Sequence, residues 1–280
     1  MLSYQHGFHA GNFADVHKHL TLSFLLESLN KKNKPWCYFE THAGTAYYDL
    51  NGEQANKTAE YKQGIESIYK APVGELFDRY LSLVKSINPD PNKLNYYPGS
   101  PWIAAKESRD GDKIALMELH PTEYQLLKGR FSSNDNVAVH NRDGYEGVAS
   151  LLPPKPNRGL VLIDPSYEIK SEYVQVANFI KKASQRWRNG CYAIWYPLLK
   201  AGNHREMLHK LKFSEVGPIL RAEFYVKSAA DQRMYGSGML IINPPWQLDE
   251  KLQSVSDVLY KQLAEEGAAT PLIDWLVAEK

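Results

Sequence analysis

The chain has 280 residues, of which 43% are hydrophobic, and its 33 Lys and Arg nearly balance its 32 Asp and Glu. This composition excludes intrinsic disorder, and no apolar run approaches the roughly 18 residues that a membrane span needs. The near-neutral charge excludes a surface coated in cations for bulk nucleic-acid binding, so any nucleic-acid contact must be local.

The remaining global features concern location and cysteine usage. The first residues lack the basic and apolar regions of a signal peptide, so we expect a cytoplasmic protein with no membrane partner. Cys37 and Cys191 stand far apart without a CxxC pair, which predicts free thiols rather than a disulfide or a structural zinc site.

Apolar runs of strand length alternate with helical patterns along the chain. An amphipathic helix is predicted first, from the spacing of Val16, Leu20 and Phe24. The alternation predicts a doubly wound α/β sheet, and the consecutive apolar residues of 161–163 are typical of parallel strands covered on both faces. The predicted strands are 35–40, 113–120, 137–140, 159–164, 190–196, 219–226 and 238–243.

About seventy residues separate the first two predicted strands, far more than a simple crossover needs. The polar segment 51–91 contains two helix-like stretches, 59–69 and 74–87, and we interpret it as a helical insertion subdomain. The main domain would then comprise residues 1–50 and 92–280. It resumes at 98–101, where Ser100 is predicted as an N-cap and Pro101 as the first helical residue.

Acidic residues follow three successive predicted strands. Glu40 with His42 follows the first, Glu118 the second, and Asp143-Gly144 the third. At such strand ends an acid can accept hydrogen bonds from ribose hydroxyls or an adenine amine, and Gly144 would let the backbone approach a ring. Ordinary turns and solvated strand ends are the alternatives. The repetition favours a nucleotide-like ligand, and the 40–46 loop resembles the first motif of S-adenosylmethionine-dependent methyltransferases.

The sharpest motif is Asp164-Pro165-Ser166-Tyr167, which resembles the Asp-Pro-Pro-Tyr motif of methyltransferases that act on the adenine amine. That amine is a poor nucleophile because its lone pair is delocalised into the ring. The Asp164 carboxylate and the Pro165 carbonyl could each accept one N–H and localise the lone pair, while Tyr167 stacks on the base. The carboxylate is too weak a base to deprotonate the amine first, so proton loss should follow methyl transfer.

Two structural alternatives exist for this motif. Asp164-Pro165 could form an ordinary proline turn after a strand. A rival copy, Asn243-Pro244-Pro245-Trp246, fits the looser pattern better. Strand order favours Asp164, because the amine-binding motif should follow the three cofactor-binding strand ends, and 243–246 is predicted to be a packed turn.

Two further segments are rich in polar residues. The histidines of 1–19 do not predict a metal site, since His17 and His19 are two residues apart and cannot share a helix face. The segment is interpreted as a flap over cofactor and base rather than a fraying terminus. The cations of 181–188 could contact RNA phosphates, but complementing the helix dipole is the favoured interpretation.

Together these residues resemble one family, the J-type adenine-N6-methyltransferases of bacterial 23S ribosomal RNA, over essentially the whole chain. The most specific matches are the segments 2–19, 41–44, 96–101, 118–121, 143–144, 195–197 and 237–246. The resemblance implies a Rossmann-like S-adenosylmethionine-dependent methyltransferase that acts on one adenine of 23S RNA before ribosome assembly, without an obligate protein partner.

The resemblance also implies roles for individual residues. Asp164, Pro165 and Tyr167 would be catalytic, and Tyr4, His6 and Lys18 would lie beside the RNA. The cofactor would contact His19, His42, Ser100, Glu118, Asp143, Gly144 and Asp164.

Two departures from the family pattern bear on activity. Ser166 replaces a second proline, which reduces the rigidity behind the Pro165 carbonyl, and Gln5 replaces a basic residue of the flap. Neither change removes an acceptor, so reduced or retuned activity is the largest effect expected. The alternative function is a non-catalytic, DNA-directed protein of external DNA uptake or catabolism. A metal-dependent nuclease ranks third, since the sequence has no acidic cluster at recognisable spacing.

Overall fold

The computed structural model describes residues 4–230 and 233–279. Among these residues the strands are β1 Cys37–Glu40, β2 Tyr47–Asp49, β3 Tyr96–Pro98, β4 Lys113–Met117, β5 Val137–His140, β6 Gly159–Ile163, β7 Cys191–Leu198, β8 Ile219–Tyr225, β9 Gly236–Ile242 and β10 Leu272–Val277. The α-helices are α1 Phe13–Asn30, α2 Glu53–Thr58, α3 Ile65–Tyr69, α4 Asp78–Ser86, α5 Ser100–Glu107, α6 Pro121–Arg130, α7 Gly144–Leu151, α8 Glu172–Arg186, α9 His204–Lys212 and α10 Leu248–Leu263.

Eight strands form one sheet in the order β10-β8-β9-β7-β6-β1-β4-β5. The pairs from β7 to β5 are parallel, whereas β9 lies antiparallel between β7 and β8, and β10 is antiparallel to β8. The chain runs from β1 outward to β4 and β5, then returns to β6 on the other side of β1. Ligands of open α/β sheets bind at such a reversal point, outside the carboxyl ends of the strands.

All seven predicted strands are present, which confirms the α/β prediction. The sequence analysis missed β10 and the pair formed by β2 and β3. Each of these strands is short or only half-buried, so none carries a continuous apolar run. Leu160 to Ile163 of β6 are all buried, as a strand covered on both faces requires.

Two local predictions about helices were wrong. Helix α1 is not amphipathic over its first part, since every residue from Ala14 to Leu26 is buried; it packs against the sheet and against α4, α5 and α10. Ser100 is not an N-cap, because Gly99 holds that position and Ser100 is the first helical residue. The Ser100 hydroxyl instead donates to the buried carboxylate of Glu40.

The segment 51–91 is helical, as predicted, although its first half is broken into α2, a 3₁₀ turn at Glu60–Gln63 and α3. Side chains of this segment, such as Ile65 and Tyr80, share one buried cluster with Val16 of α1. That residues 51–91 form a subdomain of their own stays a prediction. In the described part of the chain, no helix has the length and apolar character needed to cross a membrane.

Candidate active site

A cavity of about 470 Å³ opens at the carboxyl ends of β1, β4, β5 and β6. This volume lies within the range of small-molecule sites. The cavity is lined by every residue to which the family resemblance gives a role: Tyr4, His6, Lys18, His19, His42, Ser100, Glu118, Asp143, Gly144, Asp164, Pro165 and Tyr167. Glu40, which the sequence predicted as an acceptor after the first strand, is fully buried and does not line the cavity. Residues far apart in the chain therefore meet at one site.

A buried ammonium group joins the two halves of this site. Lys18 Nζ lies 2.5 Å from Asp164 Oδ2 and 2.9 Å from Asp15 Oδ1. Burial opposes the charged form of Lys18, but the two carboxylates raise its pKa well above the ordinary value. Burial likewise opposes ionisation of Asp15, but His6 and Lys18 hold its pKa well below the ordinary value. Lys18 therefore positions Asp164 rather than facing solvent.

Two hydrogen-bond acceptors remain at the end of β6. Within the described chain, Asp164 Oδ1 and the Pro165 carbonyl accept no hydrogen bond, although both residues line the cavity. An exocyclic amine has two N–H groups to donate. The end of β6 therefore has two acceptors that the described chain leaves unused, and their binding of an amine stays a prediction.

Tyr167 is more constrained than the sequence indicated. Its φ of 54° is in the left-handed region, which is costly for a bulky residue. The Glu172 carboxylate accepts its N–H at 2.8 Å, and its hydroxyl donates to the Trp195 carbonyl at 2.8 Å. Its ring stacks on Tyr173 with centroids 4.3 Å apart, so that face is covered. Stacking of Tyr167 on a base stays a prediction, limited to the opposite face.

The acids after β4 and β5 are held by backbone donors. Glu118 accepts the N–H of Gly44 at 2.8 Å and of His120 at 2.7 Å, and burial raises its pKa. Asp143 caps α7 by accepting the Glu146 N–H at 2.9 Å. Each carboxylate keeps further lone pairs for a ligand.

Gly144 permits a close backbone contact at this site. A Cβ at Gly144 would lie 1.9 Å from the Thr41 carbonyl oxygen, so this glycine brings the start of α7 against the loop after β1. This packing alone explains why residue 144 is glycine, and the approach of its backbone to a ligand ring stays a prediction.

Burial holds two of the cavity histidines neutral: it lowers the pKa of His19 to about 3 and that of His42 to about 4. His19 Nδ1 lies 2.8 Å from the Tyr97 hydroxyl, while Nε2 is buried without a partner in the described chain. Neighbouring Glu40 is completely buried, and burial raises its pKa to about 8.

Tyr4, His6, His9 and Asn12 of the N-terminal segment line the cavity. Residues 1–3 lie outside the described residues, and contact of a flap with cofactor and base stays a prediction. His6 Nε2 lies 2.8 Å from Asp15 Oδ2, and His6 Nδ1 lies 2.8 Å from the Tyr4 hydroxyl. His9 contacts Glu60 at 3.1 Å, which links the flap to the insertion. The Gln5 side chain accepts a hydrogen bond from Gln54 at 2.8 Å.

Sequence reasoning missed Asp15, His9 and Trp195, which also line the cavity. The i,i+3 spacing of Asp15 and Lys18 was a usable signal for an ion pair. Trp195, on β7, belongs to a segment that matches the family, but its chain neighbours do not indicate its position: its Nε1 donates to Ser237 on β9 at 3.0 Å, a contact between distant residues.

The rival motif lies at the other end of the sheet. Asn243 Nδ2 donates to the carbonyls of Arg188 and Gly190, each at 2.8 Å, so Asn243 is a structural residue. Trp246 is 84% exposed, and the prediction of a packed turn was therefore wrong for this side chain. Of the cations in 181–188, Arg186 binds the Ala149 carbonyl at 2.7 Å.

The cavity fits S-adenosylmethionine by the chemistry of its donors and acceptors. His19 Nε2 and the Tyr145 hydroxyl are buried polar atoms that lack partners in the described chain, and both residues line the cavity. Buried polar groups of this kind call for a ligand partner. The described residues contain no group of three or more His, Cys, Asp or Glu arranged to hold a metal ion.

Residues 33–277 match the family described as "Ribosomal RNA large subunit methyltransferase D, RlmJ". The chain is 41% identical to ribosomal RNA large subunit methyltransferase J of Haemophilus influenzae and 40% identical to that of Escherichia coli, over the full length of each protein. A crystal structure of a Legionella pneumophila protein is 38% identical, with a TM-score of 0.86 over 95% of this chain and 98% of that one.

Proposed function

The chain belongs to the RlmJ family of large-subunit ribosomal RNA methyltransferases, and from this premise we propose that it methylates the exocyclic N6 of one adenine in 23S ribosomal RNA. It is an S-adenosylmethionine-dependent methyltransferase, as its family and its Rossmann-like fold indicate. The relatives' names support ribosomal RNA methylation and give no support to the alternative of a DNA uptake protein.

One observation supports the adenine amine as the methyl acceptor. Asp164 Oδ1 and the Pro165 carbonyl are two acceptors on adjacent residues at the reversal point of the sheet. The acids after β4 and β5, which suit a nucleoside-type cofactor, line the same cavity. A methyl donor and an amine could thus be held side by side.

The chain's own residues would act by orientation. Bound S-adenosylmethionine supplies an electrophilic methyl group on its sulfonium. Asp164 and Pro165 accept the two amine N–H bonds, which draws the nitrogen lone pair out of conjugation and directs it at the methyl carbon. Lys18 holds Asp164 Oδ2 at 2.5 Å and so leaves Oδ1 for the amine. After methyl transfer the nitrogen carries a positive charge, and one of its N–H protons passes to the Asp164 carboxylate and from there to solvent.

The remaining assignments complete the proposal. His19, His42, Ser100, Glu118, Asp143 and Gly144 contact the cofactor, and the target base leaves its RNA helix to reach Asp164. Tyr4 and His6 close over that base. Tyr167 packs against it with the ring face not covered by Tyr173. The substrate is protein-free 23S RNA or an early assembly precursor in the cytoplasm.

The test is methyl transfer from labelled S-adenosylmethionine to protein-free 23S RNA taken from cells that lack the gene. Asp164→Ala and Asp164→Asn should abolish incorporation, whereas Asp135→Asn should not, because Asp135 is exposed and away from the cavity. Mass spectrometry of digested RNA should identify N6-methyladenosine. Absence of S-adenosylhomocysteine binding by calorimetry, or full activity of Asp164→Asn, would contradict the proposal.

A further inference from the structure

The catalytic cavity is poorly suited to attract a polyanion. Its lining carries Lys18 as a cation, and that charge is already neutralised by two carboxylates. The acids that line it are Asp15, Glu118, Glu123, Asp143, Asp164 and Glu172. Since phosphate contacts supply much of the affinity of proteins for nucleic acids, the cations that hold the RNA must lie elsewhere.

A cluster of cations occupies the opposite end of the sheet, on the loops that precede β1, β4 and β6. We call this cluster the basic face; it comprises Lys31, Lys32, Lys34, Arg109, Lys113, Lys155 and Arg158. The segments 31–36, 109–113 and 155–158 contain these seven cations and two acids, a formal charge of +5. Because the whole chain carries +1, the rest of it carries −4.

Hydrogen bonds join the three loops into one surface. Arg109 and Arg158 both donate to the Lys34 carbonyl, at 3.1 and 2.8 Å, and Lys113 Nζ lies 3.4 Å from the Lys155 carbonyl. The pKa of Arg158 is lowered by burial and then by the nearby charge of Arg109. Like charges are therefore held close together.

Little in the fold neutralises these charges. Of the seven cations, Arg109 is paired with a carboxylate, the buried Asp112 at 3.2 Å; the other six have none within 4.0 Å among the residues described. Arg158 and Arg109 bind backbone carbonyls at the end of α1. Lys31, Lys32, Lys34 and Lys155 are exposed side chains without such a structural role.

An exposed aromatic residue follows, in the chain, a residue that shares a small cavity with Arg158 of this face. A second cavity, of about 170 Å³, is lined by both Arg158 and Pro245, and the following residue, Trp246, is 84% exposed. Exposed tryptophans beside cations are typical of surfaces on which unpaired bases stack.

We propose that the basic face and Trp246 form a second RNA-binding surface, with the cations on backbone phosphates and Trp246 on an unpaired base. The proposal rests on the proposed function in taking this RNA to be the substrate. The five residues of β6 separate Arg158 of this surface from Asp164 by about 20 Å. A large folded RNA can contact both ends of the sheet, and the surface would favour it over short fragments.

The test compares two fourfold variants with the same change of charge. Lys31→Gln, Lys32→Gln, Lys34→Gln and Lys155→Gln neutralise the basic face. The control neutralises four exposed lysines in and beside the insertion: Lys62→Gln, Lys70→Gln, Lys85→Gln and Lys93→Gln. Binding of protein-free 23S RNA is measured by filter retention at increasing potassium chloride concentrations.

The basic-face variant should bind at least tenfold more weakly, and its log–log salt slope should be smaller by about three, since each lost phosphate contact removes about 0.7 to 0.9. Its KM for 23S RNA should rise while kcat stays unchanged. Trp246→Ala should weaken binding about tenfold and Trp246→Phe much less, because a phenyl ring still stacks.

Equal binding and equal salt slopes for the two fourfold variants would overturn the proposal, and the face would then suit an acidic protein instead. Loss of RNA binding by the basic-face variant alone, together with no methyl transfer by the wild-type protein, would support this surface while refuting the proposed function. The two ideas therefore fail through different measurements.

Discussion

Replacing Lys18 by methionine tests the buried ion pairs of the site. Methionine has a similar length but no charge, so Asp15 and Asp164 would face each other without the ammonium between them. Their oxygens are at most 5.4 Å apart, since Nζ lies 2.9 Å from one and 2.5 Å from the other. At an effective dielectric constant of 20, two such charges repel by about 3 kcal/mol.

The expected loss of unfolding free energy for Lys18→Met is therefore about 3 kcal/mol at pH 8, in line with the cost of breaking buried pairs. The loss should shrink near pH 5. In the variant one carboxyl would have a folded-state pKa above its unfolded value, so its penalty is present above the unfolded pKa and disappears as the pH falls. In the wild type, Lys18 has a raised pKa and stays charged throughout this range.

Urea unfolding followed by tryptophan fluorescence, at both pH values, measures this effect. Lys251→Met is the matched control: its partner Glu27 is 2.7 Å away, but both side chains are about 30% exposed, so the loss should be below about 1 kcal/mol. Adding Asp15→Asn to Lys18→Met should recover part of the stability. A Lys18→Met protein as stable as Lys251→Met, or one with no pH dependence, would refute the reasoning.

Three further predictions concern other parts of the site. Glu40→Gln should become more stable relative to the wild type as the pH rises from 5 to 8. The buried Glu40 has a pKa of about 8, above its unfolded value, so the wild type loses unfolding free energy over that range and the variant does not. Urea midpoints measured at both pH values check this. Gly144→Ala should lower the free energy of unfolding by more than about 2 kcal/mol, because the added Cβ would meet the Thr41 carbonyl. The control Gly129→Ala has open space at its Cβ in helix α6, and it should raise the free energy of unfolding by up to about 1 kcal/mol in the same assay. Glu118→Gln should weaken S-adenosylhomocysteine binding about tenfold, as measured by calorimetry. The amide lacks the charge that strengthens hydrogen bonds from ribose hydroxyls, and its NH₂ group would face the N–H of Gly44 or His120. Unchanged affinity would show that Glu118 does not bind the cofactor.

Much of the fold could be read from local pattern. The buried strands carry continuous apolar runs, and the acids and the Asp164-Pro165 motif follow them directly in the chain. Because parallel strands bring their carboxyl ends to one edge, a chain-order argument was enough to predict that these residues meet. The β2, β3 and β10 strands escaped notice because they lack such runs.

The details of the site depend on contacts between distant residues. Lys18 and Asp164 are 146 positions apart, and nothing in either neighbourhood indicates that they pair. The same holds for Tyr167, whose hydroxyl and N–H are held by Trp195 and Glu172. Helix α1 appeared amphipathic because its polar residues were assumed to face solvent, whereas the insertion and the sheet bury them.

By itself, the sequence determined the α/β architecture, the family and the end of the sheet where the candidate site lies, because these follow from hydrophobic periodicity and from motifs at strand ends. Only the tertiary structure decided that Lys18 pairs with Asp164, that one face of Tyr167 is covered, and that three separate basic loops form one surface. Ion pairs, ring stacking and charge clusters depend on distances in space, and the positions of two residues in the chain do not show whether their side chains are in contact.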